Sequence, residues 1–267
     1  MFKKVLIGCP IHNSEATLQY YLEGLIRQSY PRNRMEFCFV LNDSTDGTKE
    51  GLLGFSDYCD EKEIPCTILE VNVDGIHYSR EGRSSVASYS RLAVIRNMFL
   101  ECFLKSDADF LFSIDSDIIL NKPTYLQRMV SHNVPLVAGL IRNDYHVEEK
   151  GYRKQAFNVL NFDPKKGFYV HVLAFSEGLN ECDFTGAIIL IRRDVIEAGV
   201  KYGTKIPGLQ GEDQSFCEAA KKKGFKIYVD TQVKPYHAMS QRQRLGLSKG
   251  IFNFKDLAKL KEEDQSL

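Results

Sequence analysis

The first half of the chain alternates between short apolar runs and amphipathic stretches. "KVLIGCP", "EFCFVL", "CTILEV" and "DFLFSIDSDIIL" read as four strands. Between the first two, "SEATLQYYLEGLIRQSY" has helical spacing, with Ser14 placed as its N-cap. "DSTDGT" is a turn that opens a second helix through "KEGLLGFSDYC". "VASYSRLAVIRNMFLECFLK" is a long third helix with Leu92, Ile95, Phe99 and Cys102 on one face. The polar segment before it, "NVDGIHYSREGRSS", is long for a connection inside a compact domain, which points to function or mobility.

Strands that are apolar on both faces and separated by helices predict a parallel sheet covered on each side. Ligands of such sheets sit beyond the carboxyl ends of the strands. The ends here are "CPIHNSE", "LNDSTDGT", the "NVDG" loop and "DSD", which are also the polar, turn-rich points of this half. The second half is more mixed. "VPLVAGLIRND", "KQAFNVLNF", "GFYVHVLAF" and "CDFTGAIILIRR" read as strands, two of them joined by a hairpin-like "DPKKG" turn. A glycine-bearing loop "YGTKIPGLQG", a helix "EDQSFCEAAKKKG", a strand "KIYVD" and a loop "TQVKPYH" follow. No repeat, low-complexity linker or domain boundary is visible, and the tail from Ser240 is basic, then mixed.

Composition narrows the class. The chain has 267 residues, 43% hydrophobic and 26% charged, as expected of a soluble globular protein able to bury a core. Lys+Arg and Asp+Glu both total 35, so nothing recruits nucleic acid or an anionic membrane over a wide surface. The 7 cysteines are scattered, never spaced as CxxC, and mostly lie in apolar runs. A reducing cytoplasm therefore fits better than a disulfide framework or a zinc site. The apolar run at the N-terminus is too short for a signal peptide, and no stretch approaches the roughly 20 apolar residues of a membrane helix.

The apolar strand "FSIDSDIIL" carries two carboxylates, and alternation predicts Asp115 and Asp117 on one face. Such a pair either takes up a proton or holds a cation. Paired oxygen ligands suit Mg²⁺ or Mn²⁺, which complete their shell with water and substrate phosphates. The plainer alternative is two solvated aspartates at a strand end. An adjacent pair on one strand does not match a glycosidase, whose carboxyls stand about 5–10 Å apart across a sugar.

From Lys3 to His237 the sequence resembles the nucleotide-diphospho-sugar glycosyltransferases of the GT-A fold, particularly the family-2-type group. "CPIHNSEATL" resembles their P-x-Y-N-x-E signature, "LNDSTDGT" their D-[DN]-G-S-x-D-G-T turn, "IRN" at Ile95–Asn97 their R-N motif and "DSD" their D-x-D. "FTGAIILIRRDV" and "GEDQSFCEAAKKKGFKIYVD" resemble the acceptor-side strand and the E-D helix. Departures are also present. Leu41 replaces the first acid of the second signature, Asp43 its glycine, and His12 the usual tyrosine. "QRQRL" from Gln241 to Leu245 stands where processive synthases carry Q-x-x-R-W, and the chain has no tryptophan, which argues against a polymer-extruding synthase.

The resemblance implies an α/β GT-A fold: a mostly parallel twisted, Rossmann-like sheet flanked by helices, with a smaller mixed sheet on the acceptor side. It implies one domain over residues 1–267, with a nucleotide-sugar half (1–120), an acceptor and catalytic half (121–239) and a tail (240–267). Pro10, His12, Asn13 and Glu15, with Asn42 and Asp43, are expected to hold the nucleoside. Turn chemistry and helix capping are an equally natural use of Asn42 and Asp43. Arg96 and Arg91 are expected to clasp the diphosphate, since guanidinium matches phosphate in geometry and charge. Arg80 and Arg83 are candidates for a lid.

Asp117 is expected to ligate the metal, Asp115 and Ser116 to lie by the ribose or reach the metal through water, and His237 to complete the shell. An imidazole ligand tilts the choice toward Mn²⁺ over Mg²⁺. Thr185 and Gly186 are expected to border the sugar. Asp213 matches the family's general base, with Glu212 orienting the acceptor, although acids also favour helix starts for stability alone.

The implied function is a metal-dependent, non-processive transfer of a sugar from a nucleotide diphosphate, with uridine the preferred base, to a glycan or other hydroxyl acceptor. Inversion through Asp213 is expected. The alternatives are a retaining transferase of mannosyltransferase type, a nucleotidyltransferase, and a catalytically silent sugar-nucleotide or glycan-binding module. The missing glycine-rich, basic first loop counts against the nucleotidyltransferase.

Overall fold

The computed structural model describes residues 2–73, 86–149, 151–203 and 211–248. The segment carrying Arg80 and Arg83, most of "YGTKIPGLQG" and the tail from residue 249 lie outside the described residues.

The first half follows the hydrophobic pattern closely. Strand β1 (Val5–Ile11), helix α1 (Glu15–Ile26), β2 (Met35–Asn42), α2 (Thr48–Glu61), β3 (Cys66–Val71), α3 (Val86–Lys105) and β4 (Phe110–Ile114) succeed one another. β1, β2 and β4 are buried along their whole length, as unbroken apolar runs require. α3 lies over β1 and β2 and buries Ile95, Phe99 and Phe103 among Leu6, Val40 and Leu111. Each such side chain contributes about 1.5–3 kcal/mol. Gly8 of β1 makes the close approach possible, because a Cβ there would stand 2.9 Å from the Phe99 ring.

The second half adds β5 (Ile118–Ile119), α4 (Tyr125–His132), β6 (Leu136–Gly139), β7 (Arg142–Glu149), β8 (Tyr152–Phe157), β9 (Val159–Asp163) and β10 (Phe168–His171). It ends with β11 (Leu179–Cys182), β12 (Phe184–Thr185), β13 (Ile188–Arg192), α5 (Arg193–Glu197), α6 (Glu212–Lys222), β14 (Ile227–Asp230), β15 (Tyr236–His237) and α7 (Gln241–Ser248).

The main sheet has the order β11-β14-β6-β13-β4-β1-β2-β3. Its strands are parallel except β13, which runs against β4 and β6, and the edge strand β11. The smaller sheet, β10-β9-β12, is antiparallel, and its "DPKKG" hairpin turn is closed by Gly167 N–H donating to Asp163 O at 2.8 Å.

Several strand expectations need correction. "KQAFNVLNF" is two strands, interrupted at Asn158. Its buried amide accepts from Ile141 N–H at 3.0 Å and donates to the carbonyls of Gly139 and Gly186, both at 3.0 Å. "CDFTGAIILIRR" breaks at Gly186–Ala187, where Ala187 takes φ +67°. Ser14 precedes α1 without capping it through its side chain; its Oγ instead donates to His12 O and bonds Ser116 Oγ.

Candidate active site

β1, β2 and β4 run parallel, so their carboxyl ends open on the same edge of the sheet. β4 stops at Ile114, and Asp115, Ser116 and Asp117 form a turn rather than a continued strand. The turn is pinned by Asp115 N–H donating to Ala187 O at 2.9 Å and Ile118 N–H donating to Asp115 O at 3.0 Å. The expected single face is therefore replaced by divergence. Asp115 points toward Arg96 of α3 and Asp117 toward His237 of β15.

Arg96 stands at the centre of one group. Its side chain is only 2% exposed, with Nη2 2.7 Å from Asp115 Oδ1 and Nε 3.2 Å from Glu212 Oε1. Asp213 Oδ1 is 3.9 Å from Nε, and the guanidinium lies 5.5 Å from the Tyr202 ring centre. One cation thus serves three carboxylates. Burial works against its charge, but Asp115, Asp213 and Glu212 together hold it protonated.

The acids carry the opposite imbalance. Burial pushes Asp115 up to about 6, with Arg96 opposing and Asp213 and Asp117 adding to the rise. Burial, then Asp213, raises Glu212 to about 8 against the pull of Arg96. Arg96, expected to clasp the diphosphate, has its donors on the buried Glu212 and on the partly exposed Asp115 and Asp213. Arg91 lies five positions earlier on α3, about 140° around the helix, and does not share its face.

Asp117 forms the second group. Its Oδ2 is 3.5 Å from His237 Nε2, and its backbone carbonyl accepts from Ala238 N–H at 2.7 Å. Burial opposes ionisation of Asp117, but His237 outweighs it and holds the carboxyl below its usual range. Burial likewise opposes charge on His237, and Asp117 prevails and raises it.

This corner fits a divalent ion as a two-donor site. Neighbouring ligand atoms around an octahedral ion sit about 3 Å apart, close to the observed separation. Asp115 has one oxygen committed to Arg96, and no cluster of three or more acidic, His or Cys ligands occurs among the described residues. The remaining ligands would come from diphosphate and water.

The loops after β1 and β2, expected to hold the nucleoside, are tied to each other. Asn42 is buried and its Oδ1 accepts from Val73 N–H at 3.1 Å, so its amide builds the turn. His12 Nδ1 lies 2.7 Å from Asn42 O, and Asn13, at φ +43°, accepts from Thr45 N–H at 2.8 Å. Glu15 Oε2 accepts from Gly47 N–H at 3.1 Å. Asp43 is exposed at φ +41°, presenting its carboxylate to solvent. Pro10, His12, Asn13, Asp115, Ser116 and Asp117 line one cleft of about 180 Å³.

Arg96 and Leu92 of α3 and Arg244 of α7 also line it. Sequence reasoning missed Arg244. The signal was the basic "QRQRL", set aside because it lacked a tryptophan. Thr185 and Gly186 are not open to a sugar as expected. Thr185 is buried and bonded to Asn158 Nδ2 at 3.2 Å, and the face of Gly186 is covered by the Asp213 side chain.

This sheet order, with its acids gathered beyond the ends of the parallel strands, defines a GT-A glycosyltransferase fold. Residues 2–166 match the Anp1 family model, and the chain belongs to that glycosyltransferase family. A curated relative, a glycosyltransferase 25 family member of Aedes aegypti, is 28% identical over 144 residues, covering 53% of this chain and 24% of that protein.

Among solved structures, mannosyltransferase PcManGT from Pyrobaculum calidifontis, in complex with GDP-Man and Mn²⁺, aligns with TM-score 0.56 and 16% identity over 91% of this chain and 59% of that one. GalNAc-T7 with UDP, GalNAc and Mn²⁺ gives TM-score 0.58 and 14% identity over 88% and 44%. S. aureus TarS 1–349 gives 0.53 and 17% over 87% and 59%. The chain spans about a quarter of the curated relative and less than two thirds of these solved chains. No helix among the described residues is long and apolar enough to cross a membrane.

Proposed function

We propose that this protein transfers a sugar from a nucleoside-diphosphate donor to a hydroxyl acceptor, one residue at a time and with a divalent ion. The observation that carries this reading is the cleft that unites Asp117, Arg244 and the β1 loop, with His237 behind Asp117. Asp117 and His237 would hold Mn²⁺ or Mg²⁺. When bound, the ion supplies neutralising charge for the departing nucleoside diphosphate.

Arg244 lines this cleft, its Nε donating to Ala238 O at 3.1 Å, and takes the diphosphate role first expected of Arg96. Asp43, exposed at the end of β2, reaches the nucleoside; uridine remains the preferred base, and GDP is its rival on the strength of the mannosyltransferase likeness. Asp213 sits at the N-terminus of α6, partly exposed beside Arg96. It serves as general base: its carboxylate takes the acceptor hydroxyl proton while that oxygen bonds to the anomeric carbon, and the sugar–phosphate bond electrons leave on the diphosphate. Glu212, buried behind it, positions Asp213 through Arg96 rather than touching the acceptor. The seven free thiols support work in a reducing, cytoplasmic compartment.

A panel of UDP- and GDP-sugars, screened by thermal shift with Mn²⁺ and then by donor hydrolysis, tests the reading. Binding without hydrolysis or transfer would leave a silent binding module. The product from an α-linked donor should be a β-glycoside by anomeric proton coupling, and an α-product would install the retaining alternative.

A further inference from the structure

Behind the wall made by Asp117 and His237 lies a second cleft of about 860 Å³, within the size range of small-molecule sites. His237 lines this cleft, while its Nε2 faces Asp117 of the donor cleft at 3.5 Å. The two clefts therefore share a wall. Antiparallel pairing of β15 with β5, Tyr236 opposite Ile119 and His237 opposite Ile118, fixes that wall in place.

The larger cleft has an apolar side built from Leu140, Phe157 and Phe175, the two rings packed edge to face at 5.6 Å. It also has a cationic side. Leu140 N–H donates to Val233 O at 2.8 Å, so Arg142 and Lys234 leave the same junction and enter the same cleft. Both are exposed, and among the described residues neither pairs with a carboxylate. Among the described residues the one acid lining the cleft, Glu177, accepts from Gln232 Nε2 at 3.0 Å.

We propose that this cleft seats the end of the acceptor remote from its reacting hydroxyl, which extends beyond the cleft to Asp213, and that this end carries an anionic group, a phosphate or a carboxylate, held between Arg142 and Lys234 with its less polar face on Phe157 and Phe175. The proposal rests on the transferase reading, and it names the acceptor's chemistry. Two unpaired cations beside an apolar wall select a ligand that is charged at one end only.

Three probes separate the sources of that charge: trigalacturonate, mannose 6-phosphate and neutral maltotriose, titrated by calorimetry into the full chain at low and at high ionic strength. At least one anionic probe should bind about 10-fold tighter than maltotriose, the affinity of a charge-assisted hydrogen bond, and lose that advantage in high salt. The Arg142→Ala/Lys234→Ala double variant should bind it no better than maltotriose, with UDP and GDP binding in Mn²⁺ unchanged. Equal affinity for anionic and neutral probes, binding of none, or an anionic advantage that survives the double variant would each overturn the proposal. Loss of the transferase reading would show separately, as failure to bind or hydrolyse any nucleotide sugar.

Discussion

A Cβ built on Gly186 would stand 2.6 Å from Cγ of Asp213, so the aspartate occupies the space a side chain at residue 186 would need. Both lie near the end of the sheet where β13 begins, and Asn158 fixes the Gly186 carbonyl from below. The proposed base is thus placed by backbone as well as by Arg96.

Gly186→Ala should therefore act as a base variant. The added methyl turns the Asp213 carboxylate away, and kcat should fall by roughly 10²-fold, the low end of what a positioned base contributes. Nucleoside-diphosphate affinity should stay within twofold, because neither Gly186 nor Asp213 lines the proposed donor cleft. Asp213→Asn should cost as much or more, and the double variant should add little to it. Additive losses in kcat would show that Gly186 acts elsewhere.

Much of the fold was legible in the chain because apolar runs state which strands are buried on both faces. Ile95 and Phe99 were read onto one face of α3 and are fully buried there. What could not be read was the fate of polar groups whose partners are remote. Arg96 is spent on Glu212, 116 positions away, and no local pattern shows that. The strand ending at Ile114 was likewise invisible, since it depends on the left-handed Ala187 receiving the Asp115 amide. Asn158 reads as an ordinary strand residue until its amide is seen to serve three backbone groups and end the strand.

The two arginines that line the proposed donor cleft should separate cleanly. Arg96→Met leaves buried acids without their cation, which costs about 3–5 kcal/mol. For a chain of this size that is a fall in Tm of roughly 10 °C. Arg244→Ala should leave Tm nearly unchanged and weaken nucleoside-diphosphate binding by about 10-fold or more, with Arg244→Lys recovering part of it. The opposite pattern, stability lost at Arg244 and affinity alone lost at Arg96, would restore Arg96 as the diphosphate clasp.

Metal removal tests the Asp117–His237 corner through binding as well as turnover. Nucleoside-diphosphate affinity should rise when Mn²⁺ is added and fall on EDTA. Asp117→Asn and His237→Ala should each abolish the Mn²⁺-dependent gain while leaving metal-free affinity unchanged. Asp115→Asn should instead disturb Arg96 and lower Tm. Full transfer activity in EDTA would end the metal reading.

The raised pKa of Glu212 gives a prediction with a definite sign. Its folded value of about 8 lies above the ordinary 4.5, so the folded chain holds a proton that the unfolded chain releases. Stability therefore falls as pH rises through that interval. Asp115 acts in the same direction only up to about 6, and His237, also raised, acts in that direction above it, so the difference between the native chain and a Glu212→Gln variant isolates Glu212. Glu212→Gln is neutral at every pH and keeps an oxygen to accept from Arg96 Nε. Thermal melts at steps across this interval should show the native chain losing Tm with rising pH faster than the variant. Parallel curves would mean that Glu212 is already ionised at neutral pH, and that Arg96 balances more negative charge than inferred.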